Sequence, residues 1–235
     1  MCGKTIYRAI VPTKVEVTDM GHKFSPSDVV ALYRDASPFS RFLISARPAI
    51  CPMQPLLNAV PDGSSVLDIG CGNGLLLAWL ALNNKIFMGL GCDVSLQALE
   101  GAKSMAQAYR AASGKDLLQF ADCRTALPDG RFDLVSMIDV MHHIPPVKQR
   151  DIFIQAVARI KPGGILLYKD MAARPWWRAW GNRLHDLLLA RQWIHYVPLS
   201  QVKRWAGEAG LALQHEECYA RLFYGHELLV FHKVF

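Results

Sequence analysis

The sequence has no apolar run long enough to span a membrane. Its longest such run, 75–82, falls far short of the ~20 residues that cross a bilayer. The first residues, MCGKTIYRAIVPTK, carry charges and lack the apolar core and small-residue cleavage site of a secretory signal. The sequence therefore predicts a cytoplasmic protein without an integral membrane segment.

The cysteines lack the spacing that metal sites and redox dithiols require. None of the six belongs to a CxxC pair or has a histidine partner at metal-ligand spacing. A magnesium-dependent mechanism would need several converging oxygen ligands, and Asp139 alone does not supply them. We therefore predict reduced cysteines and no bound metal. The cysteines are Cys2, Cys51, Cys71, Cys92, Cys123 and Cys218.

From about residue 64 onward, apolar runs of strand length alternate with longer amphipathic stretches. This alternation predicts one α/β domain in which a parallel sheet carries helices on both faces. The predicted strands are Ser65–Ile69, Ile86–Cys92, Leu117–Ala121, Phe132–Ile138, Ile165–Asp170, Leu211–Ala220 and Glu227–Lys233. The predicted helices are Leu75–Leu82, Leu96–Ala112 and Val147–Ile160, and the last is expected to stop at the Lys-Pro-Gly-Gly segment 161–164.

The first 60 residues have a different pattern. Ser25 to Asp28 predicts a helix start, and frequent prolines predict that the following chain is broken into short pieces. We expect an N-terminal cap or lid segment over 1–60 and one domain over 61–235. That domain carries an insertion rich in tryptophan and arginine at about 172–206. The prolines are Pro38, Pro48, Pro52, Pro55 and Pro61.

A glycine-rich turn follows the first predicted strand. Asp68 lies near the end of this strand, and the segment Gly70–Gly74 follows it. Glycine there permits positive φ angles and close approach of a ligand to the backbone. Dinucleotide-binding enzymes use G-x-G-x-x-G at this place, but here Leu75 occupies the third glycine position. The turn therefore indicates a nucleotide-type ligand and disfavours a dehydrogenase.

Acidic residues follow the next strands at matching positions. Asp93 comes 19 residues after Gly74, which fits one βαβ unit, and its carboxylate can accept both hydroxyl hydrogens of an adenosine ribose. Asp122 can accept from an adenine amino group while the neighbouring backbone N–H donates into the ring. Taken singly, Asp68 could simply order the turn and Asp122 could cap a local loop.

In this order and spacing, the segments VLDIGCGNG, GCDVS, ADCRTALP, FDLVSMIDVMHHIP and RIKPGGILLYKD resemble the successive motifs of class I S-adenosylmethionine-dependent methyltransferases. The resemblance covers about residues 64–171. It implies a Rossmann-like, mostly parallel seven-stranded sheet with an antiparallel last strand, and S-adenosylmethionine as the cofactor.

The resemblance also implies cofactor-binding residues along the chain. Asp68 and the turn Gly70, Cys71, Gly72 and Gly74 would hold the methionine part, and Asp93 with Val94 the ribose. Asp122 with Cys123 would hold the adenine, and Ile138 with Asp139 would line the methyl side.

Two histidines follow the fourth predicted strand and are the candidate general bases. Methyl transfer from a sulfonium mainly requires alignment, water exclusion and, for a hydroxyl acceptor, removal of a proton. We assign His142 to the substrate side and expect His143 to secure the turn, since the resembled family varies most at the first position. Lys169 and Asp170 are further candidates, and an exposed ion pair is the alternative explanation for both.

The insertion is the most distinctive part of the sequence outside these motifs. Residues 172–206 hold five of the six tryptophans and six Lys or Arg against one Asp. Helical spacing of the apolar residues predicts an amphipathic helix. Such a helix could lie at a membrane surface, line the mouth of an acceptor pocket, or pack on its own sheet.

The acceptor is expected to be a small hydrophobic or aromatic molecule, methylated on oxygen or carbon. Part of the insertion is similar to bacterial methyltransferases of acyl-chain or aryl polyene pathways, which points to lipid or secondary-metabolite biosynthesis. The alternatives are an RNA methyltransferase, favoured by the pI near 9.1, and a cofactor-binding partner without turnover. The expected pocket residues are Tyr33, Arg34, Met141, Lys169, Trp176 and Trp177.

Overall fold

The computed structural model of the protein describes residues 25–51, 53–171, 195–221 and 224–234. The helices in these ranges are α1 (Pro26–Ala31), α2 (Pro38–Ile50), α3 (Met53–Ala59), α4 (Leu75–Leu82), α5 (Leu96–Ser113), α6 (Pro146–Ala158) and α7 (Leu199–Glu208). The strands are β1 (Ser64–Ile69), β2 (Ile86–Asp93), β3 (Leu118–Asp122), β4 (Phe132–Ile138), β5 (Ile160–Met171), β6 (Leu211–Arg221) and β7 (Tyr224–Lys233). A 3₁₀ turn covers Met141–His143.

The strands form one seven-stranded sheet in the order β3-β2-β1-β4-β5-β7-β6. Strands β1 to β5 pair in parallel, and β7 lies antiparallel between β5 and β6. The predicted Rossmann-like sheet with an antiparallel last strand is confirmed. The strand order reverses between β1 and β4, and ligands of open α/β sheets bind in the crevice beyond the carboxyl ends of strands at such a point.

Two apolar layers cover the faces of the sheet. Side chains alternate along each strand, so in β1 Val66 packs on one side while Leu67 and Ile69 pack on the other. The first face carries α1, α2, α3, α4 and α5, and we call it the cap face; the second carries α6 and α7, and we call it the α6/α7 face. A fully buried leucine contributes about 1.5–3 kcal/mol, so these layers dominate the stability of the fold.

Prolines begin helices in the cap instead of interrupting them. Pro26 and Pro38 stand in the first turns of α1 and α2, where the missing N–H costs nothing. The α2 helix continues past Pro48, and α3 contains Pro55. The prediction of short broken pieces was therefore wrong for α2. The predicted start at Ser25 is confirmed, because its backbone N–H donates to Asp28 Oδ2 over 2.7 Å.

The Lys-Pro-Gly-Gly segment has a different role from the one predicted. Helix α6 ends at Ala158, before this segment, and the segment itself lies within β5. The pairing of β4 with β5 shifts register between Phe132 and Leu134, and Gly163 adopts φ +74°. An irregularity of this kind accommodates proline and glycine in a strand.

Most of the tryptophan-rich insertion, including Trp176 and Trp177, lies outside the described residues. Its last part forms α7, where Trp205 is buried with its ring centroid 5.8 Å from that of Phe153. In the described ranges, the helices fall short of the length and apolarity needed to cross a bilayer.

Candidate active site at the carboxyl edge of the sheet

The turn after β1 is built from glycines in the left-handed region. Gly70, Gly72 and Gly74 have φ angles of +73°, +53° and +76°. A Cβ on Gly70 would lie 2.4 Å from Val140 Cγ2, and one on Gly74 would lie 2.7 Å from the Phe120 ring. At Gly72 a Cβ would meet nothing within 4 Å. Two glycines thus let the turn pack against the protein, whereas the third borders open space.

Asp93 ties the end of β2 to this turn. Its Oδ2 accepts from the Gly72 backbone N–H over 2.8 Å, and its Oδ1 accepts from the Ser95 N–H over 2.8 Å. The next residue, Val94, is 63% exposed, and Leu96 is half exposed as well. A carboxylate held beside an exposed apolar patch suits a ligand with hydroxyl groups next to a flat ring.

Asp68 is buried beneath the turn. Its Oδ1 accepts from Ser136 Oγ over 2.7 Å. Burial raises the pKa of Asp68 to about 7, with a smaller contribution from the charge of Asp93, while the Ser136 hydrogen bond opposes the shift. A cationic group bound against the turn would favour the ionised form of this carboxyl. The turn therefore fits a ligand that carries an ammonium.

Asp122 and Cys123 follow β3 beside Asp93. The Asp122 carboxylate accepts from the backbone N–H and Nε of Arg124, and these hydrogen bonds lower the pKa of Asp122. The Cys123 N–H donates to the Asp93 carbonyl over 3.1 Å. Both residues lie at the expected edge of the sheet, and their contact with adenine stays a prediction.

Asp139 is the centre of a buried ion network. It adopts φ +53°, which is unusual for a residue other than glycine. Lys169 Nζ lies 2.7 Å from both carboxylate oxygens, and Arg47 Nη2 donates to Oδ2 over 2.7 Å. Burial alone would raise the pKa of Asp139, but the charges of Lys169 and Arg47 hold it below its ordinary value. The carboxylate therefore links α2 to the ends of β4 and β5.

Lys169 and Asp170 do not form an exposed ion pair, so that alternative was wrong. The Lys169 side chain is 0% exposed and pairs with Asp139, whereas Asp170 pairs with His142. The two residues are adjacent on β5, and adjacent strand side chains point to opposite faces of the sheet.

His142 and His143 differ sharply in environment. His142 is 1% exposed, and its Nδ1 is hydrogen-bonded to Asp170 Oδ1. Its backbone N–H donates to Asp170 Oδ2 over 3.2 Å, and its carbonyl accepts from the His195 N–H over 2.8 Å. His143 is exposed. The histidine that we assigned to the substrate side is thus the one tied into the turn, and its contact with an acceptor stays a prediction.

The other expected pocket residues occupy contrasting positions. Tyr33 is buried, and its hydroxyl donates to the Asn73 carbonyl of the glycine turn over 3.0 Å. Arg34 is exposed, and Met141 is fully buried in the core of the α6/α7 face. Ile138, which was predicted to line the methyl side of the cofactor and not the pocket, is partly buried against the cap face. The cap therefore reaches the turn through Tyr33.

Sequence reasoning missed Arg47 and Ser136. Ser136 could have been found, because a serine within the mostly apolar segment 132–138 needs a polar partner for its buried hydroxyl. Nothing in the sequence around Arg47 distinguished it from the other arginines of the cap. In the part of the chain that the structure describes, no three His, Cys, Asp or Glu side chains are grouped to hold a metal ion.

A family model described as a methyltransferase domain matches residues 46–216. The chain belongs to this family. The match spans the glycine turn, both acidic strand ends and the His142 turn. Together with the fold, it confirms the prediction of a class I methyltransferase that uses S-adenosylmethionine.

Two curated relatives have different acceptors in their names. The ubiquinone biosynthesis O-methyltransferase of Alkalilimnicola ehrlichii is 29% identical over 166 residues, covering 65% of this chain and 62% of the relative. The tRNA (carboxymethyluridine(34)-5-O)-methyltransferase of Arabidopsis thaliana is 29% identical over 157 residues, covering 64% of this chain and 32% of the relative. The chain thus spans about three fifths and one third of their lengths.

Solved methyltransferase structures share the fold. The magnesium protoporphyrin IX methyltransferase from Synechocystis PCC 6803, crystallised with bound SAH, matches with a TM-score of 0.64 and 17% identity, covering 86% of this chain and 91% of that one. An O-methyltransferase family protein from Burkholderia thailandensis matches with a TM-score of 0.60 and 20% identity, covering 85% of this chain and 61% of that one. At these identities the likeness shows the fold alone.

Proposed function

We propose that this methyltransferase acts on a hydroxyl oxygen of a small hydrophobic or aromatic acceptor. The observation that carries the proposal is the buried pair of His142 and Asp170. His142 lies in the turn after β4 and Asp170 near the end of β5, at the edge of the sheet that holds the glycine turn. A hydroxyl acceptor must lose a proton, and histidine titrates near neutrality. The ubiquinone O-methyltransferase relative supports an oxygen acceptor and a small-molecule substrate.

The geometry of the glycine turn supports the proposed cofactor contacts. When bound, S-adenosylmethionine supplies a methyl group on a positively charged sulfur. Asp93 would accept from the ribose hydroxyls, and Val94 would pack beside the adenosine. Asp68 would sit beneath the ammonium of the methionine part, where a positive charge offsets the cost of its burial. The remaining contacts would come from Gly70, Cys71, Gly72, Gly74, Asp122, Cys123, Ile138 and Asp139.

On the acceptor side, the chain has to hold the hydroxyl and take its proton. His142 would accept that proton at Nε2, the ring nitrogen opposite the Asp170 contact. Phe42 on α2 is 65% exposed and Leu43 is also exposed, so the cap presents apolar surface. This surface, with the tryptophans of the insertion, supports a hydrophobic acceptor from lipid, acyl-chain or secondary-metabolite biosynthesis.

The test combines cofactor binding with methyl transfer. Asp93→Ala should weaken binding of S-adenosylhomocysteine by roughly 2–3 kcal/mol, or about 30- to 150-fold in Kd, because it removes charge-assisted hydrogen bonds. Calorimetry measures this, and Asp62→Ala, which removes an exposed carboxylate that pairs with Lys85 away from the turn, is the control. Unchanged affinity in Asp93→Ala would remove this residue from the site.

Transfer is then measured with methyl-tritiated S-adenosylmethionine against a panel of alkylated catechols, phenols and fatty acids. Label is expected in a phenol or catechol. Label in none of them, despite tight cofactor binding, would contradict the proposal and favour a cofactor-binding partner protein.

RNA is the second candidate acceptor. The Arabidopsis relative is named as a tRNA methyltransferase, and the chain has a formal net charge of +6, which suits a phosphate backbone. Total tRNA belongs in the same transfer assay. Label in tRNA and in none of the small molecules would establish this candidate instead.

A further inference from the structure

We infer that Asp170 is a positioning residue for His142: it keeps the proton on Nδ1, so that Nε2 is the nitrogen presented as the base. The inference rests on the proposed function, in which His142 takes the acceptor's proton. Asp170 itself touches neither substrate nor cofactor in this scheme. It acts through the tautomer and the orientation of the imidazole ring.

The hydrogen bonds around Asp170 indicate that His142 Nδ1 is the donor and the Asp170 carboxylate the acceptor in their contact. Besides the His142 ring, its carboxylate accepts from the His142 N–H over 3.2 Å, from the Met171 N–H over 2.8 Å and from the Tyr168 hydroxyl over 3.4 Å. A carboxylate that accepts from three donors is an acceptor toward the fourth contact as well. In a neutral ring this places the hydrogen on Nδ1 and the lone pair on Nε2.

Burial makes this arrangement rigid. His142 is 1% and Asp170 is 4% exposed, so water does not compete for their hydrogen bond, which is stronger in the low local dielectric. The ring centroid of His142 lies 4.1 Å from that of His143 and 6.4 Å from that of Tyr196. The His195 N–H also holds the His142 carbonyl. The imidazole is therefore oriented before any acceptor arrives.

Several charged groups surround the pair. Glu227 stands opposite Asp170 in the register of β5 and β7, and burial together with the charge of Asp170 raises the pKa of Glu227 to about 7. Asp139 interacts electrostatically with His142, and Lys169 neutralises Asp139. Glu227 thus places a second carboxyl beside Asp170 on the same face. Replacing it changes the local charge while leaving the Asp170 contact in place.

The experiment reads the tautomer directly. Protein with ¹⁵N-labelled histidine, saturated with S-adenosylhomocysteine, is examined by NMR, and the His142 signals are assigned by their loss in His142→Gln. In the wild type, Nδ1 should carry the proton and Nε2 should resonate as an unprotonated nitrogen. Asp170→Asn should transfer the proton to Nε2 or mix the two tautomers, while Glu227→Gln, the matched control, should keep the wild-type pattern.

Transfer kinetics give the second readout. With the phenol or catechol that takes label in the wild type, Asp170→Asn should lower kcat by about 10²–10⁴-fold, as expected when a general base is lost. Binding of S-adenosylhomocysteine should stay within twofold, which also shows that the variant is folded. Asp170→Glu should restore part of the rate.

The outcomes separate the two claims. An unchanged His142 tautomer in Asp170→Asn overturns the inference, whatever the transfer assay gives. An equal change in Glu227→Gln also overturns it, because the effect would then follow from local charge and not from the hydrogen bond. Absence of transfer to any small molecule by the wild type counts against the proposed function alone. If Asp170→Asn fails to bind cofactor, the wild type and Asp170→Glu decide. Asp170→Glu keeps a carboxylate and should keep the proton on Nδ1, and a wild-type protein with the proton on Nε2 overturns the inference.

Discussion

The buried ion network at Asp139 makes a sharp prediction for stability. The Lys169 ammonium is 0% exposed and contacts both oxygens of the Asp139 carboxylate. Asp139→Asn removes that negative charge and leaves the ammonium buried beside a neutral amide. Breaking a buried pair by removing one partner costs about 3–5 kcal/mol, because the other charge remains buried without compensation. In a chain of this size, that loss corresponds to a Tm lower by on the order of 10 °C.

The assay is urea unfolding at pH 7, followed by circular dichroism. The pKa of Asp139 lies below its ordinary value, so the stabilisation is complete above the unfolded-state value of about 3.9 and is lost only as the pH falls below it. The measurement at pH 7 therefore sees the whole effect. Adding Lys169→Met to Asp139→Asn removes both charges and should recover part of the loss.

The matched control is Glu208→Gln, whose carboxylate pairs with Arg150 at the surface. Both of these side chains are largely exposed, so the expected loss is only about 0–1 kcal/mol. If Asp139→Asn cost no more than Glu208→Gln, or if Lys169→Met made the double variant still less stable, the assignment of a buried, charged network would be refuted.

Two further predictions concern the glycine turn. Gly70→Ala should destabilise more than Gly72→Ala in the same unfolding assay, because both have positive φ but only the first places a Cβ against Val140; equal losses would refute the packing role. Between about pH 4 and 7, Asp68 should make the stability of the cofactor-free protein fall as pH rises, contributing at most roughly 1.4 kcal/mol per pH unit, because the folded state keeps this carboxyl protonated up to about pH 7. Glu227, whose pKa is also raised, adds to the fall. Asp68→Asn should flatten this slope, and an unchanged slope would exclude Asp68 as its source.

The sequence alone predicted the strands and the site edge well. Strand β4 and helix α4 have the predicted bounds, Phe132–Ile138 and Leu75–Leu82. Helix α4 is an uninterrupted apolar run, and β4 is a mostly apolar run of typical strand length. Asp93 and Asp122 lie at strand ends, as their spacing predicted. Local patterns were sufficient for these features because they depend on neighbours along the chain.

The partners of the charged residues could not be predicted, since they depend on tertiary contacts. Arg47 and Asp139 are 92 positions apart, and His142 and Asp170 are 28 apart. Each of these side chains has many possible partners in the sequence. Only the packing of α2 on the sheet and the pairing of β4 with β5 select the observed ones.

The alternation of side chains along β5 places Lys169 and Asp170 on opposite faces of the sheet. Leu167 and Lys169 share the cap face with Val66, whereas Tyr168 and Asp170 share the α6/α7 face with Leu67. Lys169 therefore pairs with Asp139, which also binds Arg47 of α2, whereas Asp170 pairs with His142. The irregular pairing at the Lys-Pro-Gly-Gly segment sets this register, and a slip of one residue would exchange the two charges between faces. The segment that the sequence presented as a helix stop thus determines which side of the sheet receives the ammonium and which receives the carboxylate that orients the base.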